Sequence, residues 1–199
     1  MTARTATSAA FRRAVAWVAV LNLAYFGIEF AVALAIRSVA LFADSVDFLE
    51  DTSLNLLILL ALGWSVAARA RVGMALAALL LVPGLVTLWT AWAKLGEPLA
   101  PAPLPLTLTG LGALAINLTC AVILVRFRAH SGSLSKAAFL SARNDALANV
   151  AIIATGLVTA FAWYSPWPDL IVGLAIAAIN FDAARDVWEA AREERRAGS

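Results

Sequence analysis

Carboxylate side chains occur within long apolar stretches of this sequence, where a charge is energetically unfavourable. These acids are Glu29, Asp44, Asp47, Glu50, Asp51 and Asp145. A charged carboxylate at the centre of a lipid bilayer costs about 2.5–3.5 kcal/mol on insertion scales. Acids in such stretches usually face the interior of a helix bundle or an aqueous cavity, and they usually take part in function.

The spacing of the acids predicts an oxygen-rich face on one helix. A helical stripe about 80° wide contains four oxygen-bearing residues: Asp44, Asp47, Asp51 and Asn55. Glu50 lies about 60° from this stripe and points toward another helix or water. Because Asp47 and Asp51 are an i, i+4 pair, their carboxylates lie one above the other.

A second oxygen-rich face follows later in the chain. Ser141 and Asp145 are again an i, i+4 pair, with Asn144 and Asn149 nearby on the same side. Two carboxylates as close as those of Asp47 and Asp51 repel each other unless a cation or protons lie between them. Oxygen ligands on facing helices near the bilayer midplane suit a divalent cation. The alternative is a polar network that only holds the helices together.

The composition predicts that lipid surrounds the chain. Hydrophobic residues make up 62% of its 199 residues and charged residues 14%, whereas soluble domains are about 45–50% apolar and about 25% charged. Six apolar runs have lengths suited to membrane-spanning helices, and they cover approximately residues 14–36, 39–66, 72–93, 106–125, 138–163 and 170–187. We therefore predict an all-α integral membrane bundle of six transmembrane helices, with a kink at Pro83-Gly84.

The basic residues predict the orientation of the bundle. Twelve of the 15 Lys and Arg residues fall on one side of the predicted spans, and only Arg37 and Lys94 fall on the other. This distribution places both termini in the cytoplasm and the proline-rich connection 97–105 outside, in a multi-pass protein of the cell inner (plasma) membrane. We expect a cytoplasmic N-terminal segment (1–12), a six-helix domain (13–188) and a charged cytoplasmic tail (189–199). A net charge of only +2 argues against nucleic acid as a partner.

Two motifs resemble signatures of the cation diffusion facilitator family of metal/proton antiporters. Ser38-Val-Ala-Leu-Phe-Ala-Asp-Ser-Val-Asp-Phe-Leu-Glu-Asp51 resembles the family's helix-two pattern Ser-x-Ala-Leu-x-Ala-Asp-x-x-[His/Asp]-x-x-x-Asp. The segment 141–150 resembles the helix-five pattern, which usually reads His-x-x-x-Asp. Asn22, Glu29 and Pro168-Asp169 match polar positions on the family's first and sixth helices. The resemblance covers nearly the whole chain.

The resemblance implies a transport site for a divalent metal cation, with no organic cofactor. Its ligands would be Asp47, Asp51, Ser141 and Asp145, with Asp44, Asn144 and Glu29 as auxiliary residues. Ser141 replaces the family's usual histidine, so the shell is richer in oxygen. Such a shell favours manganese or ferrous iron over zinc, although zinc, cobalt and cadmium remain candidates.

The chain also departs from the family at its C-terminal end. The sixth predicted helix is followed by only a short charged tail, so we expect a short member without the cytoplasmic metal-binding domain. A homodimer would then form through membrane helices or the tail. His130 has no ligand partner at useful spacing. In the tail, Asp182, Asp186 and Glu189 alternate with arginines, which predicts a solvated, ion-paired helix end.

The carboxylates of the proposed site suggest antiport, in which a metal ion and protons compete for the same carboxylates. We expect protons on the carboxylates when the site is empty, and an entering metal displaces them because ligands bind metals in their deprotonated form. Two other functions remain open: a non-transporting accessory membrane protein, and a metal-dependent membrane phosphotransferase. The phosphotransferase signature requires an Asp-Gly pair, which occurs nowhere in the sequence.

Overall fold

Long helices account for nearly all of the described chain. The computed structural model describes residues 2–61, 85–96, 98–126 and 133–197, without the side chains of residues 2–8, 61, 133–144, 183, 184, 186, 187 and 190–197. The helices are α1 (Thr2–Ile36), α2 (Val39–Ala61), α3 (85–96), α4 (Pro103–Val125), α5 (Ser133–Phe161) and α6 (Trp167–Ala197). No strand occurs in these residues, which agrees with the predicted all-α class.

Several helix ends extend beyond the predicted spans. Helix α1 begins at Thr2, and α6 continues to Ala197. The predicted N-terminal segment (1–12) and the predicted tail (189–199) are therefore mostly helical. Helix α4 begins inside the predicted proline-rich connection, at Pro103. Proline is tolerated there because the first-turn N–H groups have no intrahelical partner. The predicted kink at Pro83-Gly84 lies outside the described residues.

Helix α2 lies at the centre of the bundle. Every residue from Ser38 to Val46 is buried, and α2 contacts α1, α4, α5 and α6. The main apolar cluster joins α2 residues 40–43 to Ala33 of α1, Leu106 of α4, Ile152 of α5 and Ile176 of α6. The acids of α2 are therefore enclosed by several helices.

A glycine allows α6 to approach the first turn of α2. A Cβ atom at Gly173 would lie 2.7 Å from the backbone nitrogen of Ala40 and from the carbonyl carbon of Val39. Small residues at such crossings are typical of helices that pack in membranes. The close contact brings the N-terminal end of α6 to the N-terminal end of α2.

The outer surface of the bundle is apolar. Exposed large side chains occur on every helix, including Trp17, Leu60, Trp92, Leu118 and Phe161. Two described stretches, Ala9–Ile36 and Pro103–Val125, are long and apolar enough to cross a membrane, and Asp145–Phe161 forms a shorter apolar helix. Trp163 and Trp167 are exposed at the connection between α5 and α6.

Candidate metal-binding site

A tight connection between α1 and α2 fixes the start of the acidic helix. Helix α1 ends in a Schellman motif, in which Ser38 N donates to Ala33 O at 3.0 Å and Arg37 N to Leu34 O at 3.4 Å. Arg37 has a φ of 54°, the left-handed conformation that this motif requires. Ser38 then caps α2, because its Oγ accepts a hydrogen bond from Leu41 N at 3.1 Å.

Asp169 of α6 completes the cap of α2 from across the bundle. Its carboxylate accepts hydrogen bonds from Val39 N at 2.9 Å, Ala40 N at 3.2 Å and Ser38 Oγ at 2.5 Å. A negative charge at a helix N-terminus is favourable because free N–H groups and the helix dipole both point toward it. Asp169 is fully buried, so the contact fixes the axial position of α2 against α6.

Lys94 of α3 neutralises Asp169. Its Nζ donates to Asp169 Oδ2 at 2.7 Å and to the carbonyl oxygen of Arg37 at 2.8 Å. Ala91, one turn earlier, packs against Val39 and Leu170. The sequence analysis does not predict this ion pair, because its partners are 75 residues apart and the match at Pro168-Asp169 says nothing about the partner of the acid. The only signal was the placement of Asp169 and Lys94 toward the same predicted side.

Asp51 lies among polar groups from α1 and α4. Asn22 Nδ2 donates to Asp51 Oδ2 at 3.3 Å, and the Cys120 thiol donates to Asn22 Oδ1 at 3.5 Å. Asn55 Nδ2 donates to the Asp51 carbonyl oxygen at 2.7 Å. Asn22, Cys120 and Asn55 are all buried, so the predicted polar stripe of α2 faces the interior here.

Asp47 of α2 and Asp145 of α5 lie on contacting helices. The carboxylates of Asp145, Asp44, Glu50 and Asp51 are all near enough to that of Asp47 to repel it. Asp47 and Asp145 both keep part of their surface exposed, whereas Asp51 is buried. Glu50, which was predicted to lie off the stripe, is also buried.

Asp44 has neighbours from two other helices. Asn149 Nδ2 of α5 donates to Asp44 Oδ1 at 3.4 Å and to the Asp145 carbonyl oxygen at 2.5 Å. The carboxylate of Glu29 on α1 lies beside that of Asp44. Both acids and Asn149 are 0% exposed.

The other predicted polar residues lie on α5 or on the connection that precedes it. The side chains of Ser141 and Asn144 and the whole of His130 lie outside the described residues. Thr155 and Thr159 are buried, as expected for the inward side of α5. Among the described side chains, no three His, Cys, Asp or Glu residues are grouped closely enough to hold a metal ion.

The C-terminal end of α6 contains an ion pair of the predicted kind. Arg185 Nε donates to Glu189 Oε1 at 2.8 Å, and both side chains are largely exposed. Asp182 is exposed as well. The side chains of Asp186 and Arg192 are not among those described.

Comparison with known proteins identifies the family. Residues 15–193 match the cation efflux transmembrane domain, which is most of the 199-residue chain. The comparison with curated proteins gives no match. The matched region includes both acidic motifs and α2 to α5, together with most of α1 and α6. The chain therefore belongs to the cation efflux (cation diffusion facilitator) family, and it is a membrane transporter of metal cations rather than a classical enzyme.

Proposed function

We propose that this transporter exports divalent metal cations in exchange for protons. The ion would bind between α2 and α5, to Asp47, Asp51, Ser141 and Asp145. The observation that carries the proposal is a link between the two acidic helices: Asn149 of α5 donates both to Asp44 Oδ1 of α2 and to the Asp145 carbonyl oxygen, so the turn that contains Asp145 faces the acids of α2. Carboxylates so placed repel one another, and a divalent cation would remove the repulsion and draw them together.

The surroundings of these acids suit an exchange of ions. Asp47 and Asp145 remain partly exposed, which gives an ion access to them. Asn22 orients the Asp51 carboxylate through its hydrogen bond to Oδ2. A metal requires deprotonated ligands, so protons arriving from the opposite side would expel it. Alternating access would come from rocking of the helices around this site.

The proposal includes the topology. All six helices would cross the inner (plasma) membrane, with both termini in the cytoplasm and the connection around Leu99 outside. Acids in the middle of α2 are compatible with a membrane-spanning helix because neighbouring helices enclose them. The protein would act as a homodimer that contacts through membrane helices.

A transport assay on Asp145→Asn tests the proposed site. In proteoliposomes with a pH-sensitive dye inside, the wild-type protein should give a proton flux that depends on external Mn²⁺ or Zn²⁺. The variant should lose this flux, because one of three charged ligands is removed while the side-chain shape is kept. Asp182→Asn serves as the matched control, since Asp182 is an exposed acid of α6, and it should transport normally. Wild-type flux from Asp145→Asn would refute the proposed site.

A further inference from the structure

We propose that Glu29, Asp44 and Asn149 form a second cation site, separate from the site around Asp47. It lies on the side of Asp47 nearer the connection between α1 and α2. The proposed function supplies the expectation that the cation is a metal ion. The site itself is argued from the contacts of these three residues.

The first observation is that the carboxylate pair is enclosed and lacks hydrogen-bond donors. Glu29 and Asp44 are both 0% exposed. Among the described residues, no N–H or hydroxyl group donates to either oxygen of Glu29 or to Asp44 Oδ2, and the two carboxyl groups lie within hydrogen-bond distance of each other. Asp44 also acts on Glu29 as its strongest charged neighbour. Buried acids are expected to be paired or to bind a cation, because an isolated buried charge is strongly unfavourable.

The second observation is an unpartnered amide oxygen on a third helix. Asn149 is 0% exposed, and its Nδ2 atom donates to Asp44 and to the backbone of α5. With both donations made, its Oδ1 atom is left without a partner. Asn149 therefore joins Asp44 to α5, and the same amide group carries a buried neutral oxygen.

Among the described side chains, no lysine or arginine donates a hydrogen bond to the unpartnered oxygens of this cluster. Lys94, the buried lysine of the described part, is bound to Asp169. A single proton shared between Glu29 and Asp44 would supply one donor and leave the other oxygens unsatisfied. Water could donate hydrogen bonds but would leave the negative charge uncompensated. A metal cation binds several oxygens at once, and carboxylate plus amide oxygens suit a hard divalent ion such as Mn²⁺.

Counting bound Mn²⁺ on purified full-length protein tests the proposal. Equilibrium dialysis with metal analysis should give two ions per wild-type chain, and one ion per chain in Glu29→Gln, in Asp44→Asn and in Asp51→Asn. The double variant Glu29→Gln/Asp51→Asn should bind none. Asp182→Asn is the control for removal of an acid and should keep two. Electron paramagnetic resonance of wild-type protein should show the broadening expected of two neighbouring Mn²⁺ ions.

The outcomes separate the two proposals. If Glu29→Gln and Asp44→Asn bind as many Mn²⁺ ions as wild type, the second site is refuted, and a shared proton explains the pair. If Asp51→Asn alone keeps the wild-type count while Glu29→Gln loses an ion, the second site holds and the proposed transport site fails. Should both neutral variants misfold, a wild-type spectrum of isolated Mn²⁺ refutes the second site by itself.

Discussion

At the scale of single residues, the acids of α2 accept hydrogen bonds from polar side chains of other helices. Asp44, Asp47 and Asp51 recur at helical spacing in an apolar run, which is a local pattern. The hydrogen bonds from Asn22 to Asp51 and from Asn149 to Asp44 join residues 29 and 105 positions apart. No local pattern specifies such pairs, because they depend on how the helices pack.

Ser141 is the residue on which metal selectivity should depend. A histidine at this position would add an imidazole nitrogen, which suits zinc better than a hydroxyl does. We expect Ser141→His to bind Zn²⁺ at least about tenfold more tightly, with little change for Mn²⁺. Isothermal titration of both ions into wild type and variant measures the change. Unchanged Zn²⁺ affinity would mean that Ser141 does not face the ion.

Lys94 should contribute strongly to stability, since its partner Asp169 is completely buried. Lys94→Met leaves a buried carboxylate without its cation, which typically costs about 3–5 kcal/mol. Thermal unfolding in detergent, followed by circular dichroism, should show a large decrease in the midpoint. The matched control is Arg185→Met, which removes an exposed i, i+4 ion pair worth about 0.3–0.5 kcal/mol. Similar midpoints for the two variants would contradict the role assigned to Lys94.

At the scale of helices, the apolar runs predicted the boundary between α1 and α2, but they did not predict how far α6 extends beyond its apolar run. The end of α1 at Ile36 and the start of α2 at Val39 agree with the predicted spans. The extension of α6 to Ala197 was not predicted, because hydrophobicity marks the part of a helix in lipid and not its continuation into water. The charged end of α6 is held by contacts such as Arg185 with Glu189.

The crossing of α6 over α2 should depend on Gly173. Gly173→Ala would place a Cβ atom 2.7 Å from backbone atoms of α2, so the helices must separate and the Asp169 cap must loosen. We expect a destabilisation of about 1–3 kcal/mol, as for other overpacked sites. Thermal unfolding in detergent measures it.

Gly27 provides the control for this substitution. A Cβ atom at Gly27 would meet nothing within 4 Å, so Gly27→Ala should stabilise α1 by about 0.5–1 kcal/mol through its better helix propensity. Opposite signs for the two glycine-to-alanine variants are the expected result. If Gly173→Ala were equally stabilising, the close approach of α6 to α2 would be wrong.

At the scale of the whole molecule, composition indicates lipid as the solvent, and burial in the bundle explains how α2 tolerates its acids. Helix α2 contacts α1, α3, α4, α5 and α6, so its carboxylates face protein while exposed apolar residues such as Trp17 and Leu118 cover the outside. The sequence predicted that α2 and α5 face each other. The capping of α2 by α6 was not predictable, because it follows from the close packing at Gly173.

The orientation in the membrane can be tested by labelling single cysteines. Cys120 is the only cysteine of the chain, so Cys120→Ala gives a cysteine-free background. In it, Leu99→Cys should react with a membrane-impermeant maleimide on intact cells, because Leu99 is 60% exposed in the connection proposed to lie outside. Glu189→Cys, on the exposed end of α6, should react only after the membrane is permeabilised, since basic residues cluster on that side. The reverse pattern would invert the proposed orientation. Labelling of both on intact cells would contradict the three crossings, by α4, α5 and α6, that are proposed between the outer connection and the end of α6.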